Sequence, residues 1–307
     1  MENNTNINNK RAEEKPKKRV LSFDHFSELL KEIPKPPEHI YTIGNFPTDE
    51  ETIFLGVVGT RKLSHYGKDV CEKIIGGLAG HNIVIVSGLA LGIDAIAHQS
   101  ALKHNIKTIA VPGSGLDEKV LHPRTNINLS REIIQKGGCL LSEFPWDMSA
   151  AKHTFPQRNR IIAGLSHGTL VIEAPERSGA LITSRYALEF NREVFSVPGS
   201  IFSENSKGTN KLIKSGAIPV SSAEDILETF NLLDDENENP PADGQNQKTL
   251  FEMSPVEEKI FIAISEPILK DNLLRKLNMP INEANSIITM MQIKGIIKES
   301  GGEIFRK

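Results

Sequence analysis

Ile83-Val84-Ile85-Val86-Ser87-Gly88-Leu89-Ala90-Leu91-Gly92-Ile93-Asp94 is the stretch on which the fold turns. Four β-branched apolar residues in a row, with no polar alternation, suit a strand covered on both faces. Gly88 and Gly92 then permit a tight turn, and Asp94 opens a stretch of helical period that runs to His104. Strand, glycine loop and helix in that order make half of a parallel crossover unit, with the helix N-terminus at the strand's carboxyl end.

The same grammar repeats outward from this point. Short apolar runs occur at Phe54–Val58, Thr108–Val111, Cys139–Leu141, Thr169–Ile172 and Val194–Val197. Helical stretches separate most of them: Tyr66–Leu78, Asn126–Gln135 and Leu181–Phe190. Right-handed crossovers between such strands give an α/β fold, an extended Rossmann-like, doubly wound, mostly parallel sheet. Ser221 and Glu224 have capping-box spacing and predict a helix through Phe230.

On either side of this domain the composition changes. Residues 1–20 are rich in Asn, Lys and Glu and read as a disordered tail. The tail's basic run, Lys15, Lys17, Lys18 and Arg19, is either a solvated tract or a phosphate contact. Leu21–Ile33 has the pattern of a short amphipathic helix stopped by Pro34, Pro36 and Pro37, which places the main domain at 21–233. Residues 234–249 are acidic and carry Pro240-Pro241, the signature of a linker. Residues 250–307 predict three helices and a hairpin, a small C-terminal winged-helix module. Its third helix offers Lys294 at its end as the one cation, so contact with protein rather than duplex DNA is expected of it.

Bulk properties bound the function. With 38% hydrophobic and 24% charged residues, the chain is of ordinary globular type. No apolar run approaches the roughly 20 residues of a membrane-spanning helix, and the N-terminus lacks a secretory apolar segment. Cys71 and Cys139 have no partners at metal spacing and read as buried thiols of a reducing compartment. A cytoplasmic protein with no metal, no cofactor and no membrane partner is expected. A net charge of −3 argues against a broadly basic surface, so any nucleic acid is expected to bind at a local site.

That site is expected where the glycines gather. Gly59-Thr60-Arg61, Ser87-Gly88 and Pro112-Gly113-Ser114-Gly115 all follow strands. Glycine lets a phosphate approach the backbone, Thr60 and Ser87 add hydroxyls, and Arg61 adds a planar fork. Each loop alone reads equally well as a tight turn, and Asp94 reads as a helix-start cap before anything catalytic. Lys152-His153-Thr154-Phe155-Pro156-Gln157-Arg158-Asn159-Arg160 combines three cations with a ring, the composition of a single-strand site. Arg158 or Arg160 has a second use, pairing with Glu143 or Glu173, and Trp146 reads as core before it reads as a stacking ring.

With these residues in view, the chain resembles the DNA-processing protein A family (DprA/Smf). The resemblance rests on Gly59-Thr60-Arg61, Ser87 to Asp94, Phe155 to Ser166, Glu173-Ala174 with Ser178 to Thr183, Val197-Pro198-Gly199 and Gly208 to Ile213. It implies a non-catalytic protein that binds and protects incoming single-stranded DNA, forms a homodimer and loads RecA recombinase in natural transformation. By the family pattern Arg61, Lys152 and Phe155 contact DNA. Gly59, Thr60, Ser87, Gly88, Arg158 and Asn159 line the same site. Ile218, Val220, Ile226 and Leu227 fall in the implied dimer contact. His122-Pro123 stands where many members carry Tyr-Pro, a departure that leaves local stacking open.

Two rival readings remain. A phosphoribohydrolase-type enzyme would need a carboxylate over a nucleoside monophosphate, with Glu143 and Glu173 as candidates. Yet Tyr186 stands three residues past Thr183, where such enzymes carry glutamate. A sensor of small nucleotides would use the same loops without gaining affinity as the nucleic acid lengthens.

Overall fold

The structure is a computed structural model and describes residues 17–47, 49, 51–233, 254–264, 268–277, 279–294, 296–300 and 303–306. The chain divides after Asp235 into two compact units. The expected linker at 234–249 and residues 1–16 of the expected tail lie outside the described residues.

In the first unit the strands are β1 (Lys18–Ser22), β2 (His39–Gly44), β3 (Ile53–Val58), β4 (Ile83–Ser87), β5 (Thr108–Ala110), β6 (Cys139–Ser142), β7 (Gly168–Val171), β8 (Glu193–Ser196) and β9 (Ile218–Pro219). The helices are α1 (Glu28–Lys31), α2 (His65–Gly77), α3 (Ile93–Lys103), α4 (Ile127–Gln135), α5 (Thr154–Leu165), α6 (Gly179–Glu189), α7 (Lys207–Lys214) and α8 (Glu224–Thr229). All nine strands form one sheet in the order β1-β2-β6-β5-β4-β3-β7-β8-β9. Every pairing from β6 to β9 is parallel, and only β1 with β2 and β2 with β6 are antiparallel. The run β5-β4-β3-β7-β8-β9 is the Rossmann order, extended at the β5 side by three further strands.

Unbroken apolar strands are explained by two cores. Leu55, Val57, Ile83 and Ile85 face one side, with Cys71, Ile74 and Ala97 from the helices there. Phe54, Val58, Val84 and Val86 face the other, against Ile161, Ile162 and Leu165 of α5. Neighbouring residues of one strand therefore enter opposite layers, which requires both to be apolar.

Several expectations are corrected. Lys18-Arg19-Val20 is not disordered: it belongs to β1, which pairs with β2 from Lys18↔Ile43 to Ser22↔His39. That pairing takes Leu21 out of the expected helix at 21–33, leaving a 3-10 turn at Phe23–His25 and the single turn α1. Sheet pairing outweighs a short helical period, and Phe26, Leu30 and Ile33 still reach the core. The Ser221–Glu224 box does not form. Asp225 takes the role, accepting from Ser221 N (2.7 Å), Ser222 N (3.0 Å) and Ser221 Oγ (3.0 Å). Val220, Ile226 and Leu227, expected at a dimer contact, are 0%, 0% and 3% exposed in the core around α2, so their side chains are not free for a partner. Ile218 alone of the four is partly exposed.

The second unit holds α9 (Pro255–Ala263), α10 (Lys270–Lys276) and α11 (Ile281–Ile293) with a three-stranded antiparallel sheet of β10 (Ile268–Leu269), β11 (Ile297–Ser300) and β12 (Glu303–Arg306). Ile260, Leu273, Ile288, Met291 and Ile304 form its core. Ser254 and Glu257 make a complete capping box at the start of α9. Lys294 Nζ bonds Glu257 (2.7 Å), so the one cation at the end of α11 is spent inside the unit.

Candidate nucleic-acid interface

The connections on the two sides of β3 run opposite ways, toward β4 on one side and β7 on the other. The crevice this opens at the carboxyl ends of the strands is where open α/β sheets bind ligands. Here it is a cleft of about 280 Å³ walled by Gly59, Thr60 and Arg61 after β3, Phe155 and Arg158 of α5, and Arg177, Ser178 and Gly179 at the start of α6. Ser178 caps α6 by accepting from Ala180 N (3.3 Å).

Two loops are locked together at the rim. Ile93 N donates to Thr60 O (3.2 Å), and a Cβ on Gly92 would stand 2.3 Å from that same oxygen. Gly92 has φ +80°, which only glycine adopts cheaply. Buried Leu89 also sits at φ 56°, a strained setting for a branched side chain. It is fixed by Asn126, whose Nδ2 donates to Leu89 O (2.9 Å) and Ala90 O (3.2 Å).

The nine residues proposed from sequence separate into two layers. Facing solvent are Arg61 and Lys152, both exposed, and Phe155, half-buried. The Arg61 guanidinium lies 5.1 Å over the Phe155 ring, a cation–π contact. His122 meets that ring edge-on at 5.7 Å, so a ring contact persists where the family's tyrosine is absent. Gly59 is partly exposed and must be glycine, because a Cβ would fall 2.6 Å from Ile93.

The other five lie beneath. Ser87 is fully buried and its Oγ donates to Val57 O (2.6 Å), so it is not a phosphate ligand. Thr60 Oγ1 accepts from Lys62 N (3.2 Å), shaping the turn that presents Arg61. Asn159 Nδ2 donates to Gly179 O (3.2 Å) and joins α5 to α6. Gly88 N donates to Asp94 Oδ2 (3.1 Å). Arg158 is 4% exposed, and its Nη1 donates to Gly88 O and Val111 O, clasping the ends of β4 and β5. Thr60, Arg158 and Asn159 form the floor of the cleft, and Gly88 lines the smaller pocket beside it.

Arg158 and Asp94 face one another across Gly88, where a Cβ would lie 2.0 Å from Arg158 Nη1 and 2.5 Å from Asp94 Oδ2. Burial pushes the Arg158 guanidinium down to about 10, with Asp94 pulling the other way. Burial likewise raises the Asp94 carboxyl against the pull of Arg158. Below them His98 is fully buried, its Nδ1 2.7 Å from Thr108 Oγ1, and burial with the nearby Arg158 charge drives its pKa down to about 3.

Neither candidate carboxylate is free. Glu143 pairs with Arg160. Glu173 is 1% exposed and accepts from Ser64 Oγ (2.6 Å) and Ser64 N (3.0 Å). Trp146 packs edge-on to Tyr41 (5.1 Å) under Lys18 and is not a stacking ring of this cleft. A wider groove of about 980 Å³ between β2 and α4 is lined by three cations, of which Lys18 and Arg131 are paired to Asp117 and Glu118 and Lys17, among the described residues, is not. Arg177 was missed. Its only sequence signal is its place just before the capped start of α6.

Fold and crevice together define the class: a Rossmann-like protein with a cationic, ring-bearing site at its strand ends. The model of the DNA recombination-mediator protein A family matches residues 19–231, and this chain belongs to that family. Protein Smf of Escherichia coli (strain K12) is 39% identical over 256 residues, covering 82% of this chain and 67% of that protein. DNA processing protein DprA of Bacillus subtilis (strain 168) is 42% identical over 208 residues, 68% of this chain and 69% of that one. Among solved structures, DprA from Streptococcus pneumoniae superposes with a TM-score of 0.64 at 40% identity, covering 70% of this chain and 75% of that chain. DNA processing protein A from Helicobacter pylori, whose structure addresses its single-stranded DNA binding mode, gives 0.61 at 28% identity, with 70% and 95% covered.

Proposed function

We propose that this chain binds single-stranded DNA at the strand-end crevice and serves recombination by delivering that strand to RecA, acting as a cytoplasmic homodimer. The observation that carries the reading is the Arg61–Phe155 pair, a cation seated on a half-open ring, with Lys152 three residues before the ring. Such a pair offers one group to a phosphate and one face to a base, the two things every nucleotide of a single strand presents. The single-stranded DNA binding of the Helicobacter pylori relative supports it. Among the described residues no helix is long and apolar enough to cross a membrane. The dimer is proposed at the β9 end, where Ile218 is partly exposed.

The commitments of Glu143 and Glu173 to Arg160 and Ser64 favour a binder over a phosphoribohydrolase. The test is fluorescence anisotropy with single- and double-stranded oligonucleotides across a salt series. Single strands should bind tighter, with affinity falling steeply as salt rises. Arg61→Ala should lower affinity and flatten the salt slope by about one unit. Phe155→Ala should cost roughly 1–3 kcal/mol of binding. Equal affinity for duplex, or wild-type behaviour in both variants, refutes the assignment.

A further inference from the structure

We propose that the loop after β8 carries a second stacking platform, Phe202, on which a later base of the same bound strand rests. The proposal depends on the single-strand reading above and extends it along the sheet edge. Phe202 is 91% exposed and Ile201 77%, the highest values among the described large apolar side chains. An open phenyl ring contributes nothing to this fold, because the loop that bears it is already held by other groups.

The holding groups can be named. Asn210 bonds both backbone groups of Gly199, accepting from its N (3.2 Å) and donating to its O (2.9 Å). Ala174 N donates to Asn205 O (2.8 Å), and Ser203 N donates to Ser200 O (3.0 Å). A Cβ on Gly199 would fall 2.2 Å from Ser206 Oγ, so the turn is tightly closed. The ring is thus displayed on a fixed backbone and loses little freedom on contact.

Position and charge select the occupant. Asn205 Nδ2 donates to Lys62 O (3.0 Å), which sets this loop directly beside the residue that follows Arg61. Tyr66, 47% exposed, donates its OH to Pro198 O (2.7 Å) and offers another ring on the same side. Exposed Lys62 has no carboxylate within ion-pair distance among the described residues. Arg61 and Lys62 thus lie between the Phe155 ring on one side and the Tyr66 and Phe202 rings on the other, cations for a polynucleotide's phosphates flanked by faces for its bases. A protein partner would want a continuous apolar patch, whereas Ser200 and Ser203 flank Ile201 and Phe202.

The experiment uses the full chain and an oligothymidylate of about 20 nucleotides carrying 5-iododeoxyuridine, long enough for more than one subsite. Ultraviolet cross-links should map to the peptide holding Phe202 as well as to that holding Phe155. Phe202→Ala should lose the former cross-link and roughly tenfold in affinity, within the range for one stacked base, while Phe202→Trp keeps both. Cross-links at Phe155 alone, with Phe202→Ala binding as wild type, overturn the platform and leave the first site standing. A Phe202→Ala protein that binds normally but sediments at lower mass assigns the ring to a second copy of this chain and also overturns it. No binding and no cross-link anywhere in the wild type defeats the underlying function instead.

Discussion

Arg158→Ala should unfold about 3–5 kcal/mol more easily than wild type, the range for leaving one partner of a buried charge arrangement alone. Three losses combine in that variant. Gly88 O and Val111 O lose their shared donor, and the Asp94 carboxylate loses the guanidinium facing it. For a domain of this length that is a fall in Tm on the order of 10 °C. Arg158→Lys should recover only part, since an ammonium lacks the planar fork that bridges two strand ends. Single-strand affinity should fall too, although Arg158 is 4% exposed, because the loops it clasps carry Arg61's neighbours. Denaturant melts and anisotropy on the same samples check both effects. An Arg158→Ala protein as stable as wild type would show that the clasp is dispensable.

The second large effect is a dependence of stability on pH through His98. Its folded pKa is near 3 against an unfolded value of 6.5. Above 6.5 the imidazole is neutral in both states and its packing is fully retained. As pH falls below 6.5 the unfolded chain takes up a proton that the folded one refuses, so stability declines until pH nears 3. The slope is up to about 1.4 kcal/mol per pH unit, so moving from pH about 6.5 to about 5 should cost roughly 2 kcal/mol more in wild type than in His98→Gln. Denaturant unfolding of both proteins at the two pH values measures it, and carboxylates common to both cancel. Parallel curves would mean His98 titrates normally.

The sheet was legible because its strands are apolar on both faces, as at Phe54 to Val58 and Ile83 to Val86, and because β3, β4 and β5 each lead into a glycine-bearing turn. Its boundaries fell within a residue or two for the same reason. The antiparallel flank was not legible: Lys18–Ser22 is polar and exposed on most of its length, and only its pairing with β2 makes it a strand. At the site, the residue types were legible and their depth was not. Ser87, Arg158 and Asn159 carry the donors a phosphate wants, but whether such donors face a ligand or a neighbouring carbonyl depends on tertiary packing. Arg61 and Lys152 lie exposed in the structure and Phe155 half-exposed, with no carboxylate paired to either cation among the described residues. Val220, Ile226 and Leu227 show the converse, since apolar residues near a sheet edge look alike whether they serve the core or a partner.

The closing strand of the sheet, Ile218–Pro219, is two residues long and ends in an imino acid without an amide hydrogen. At that margin it is a poor template for a further strand, so backbone pairing between copies is disfavoured there. Any pairing of subunits at that margin would rest on side chains, and would be tunable, and breakable, by single substitutions.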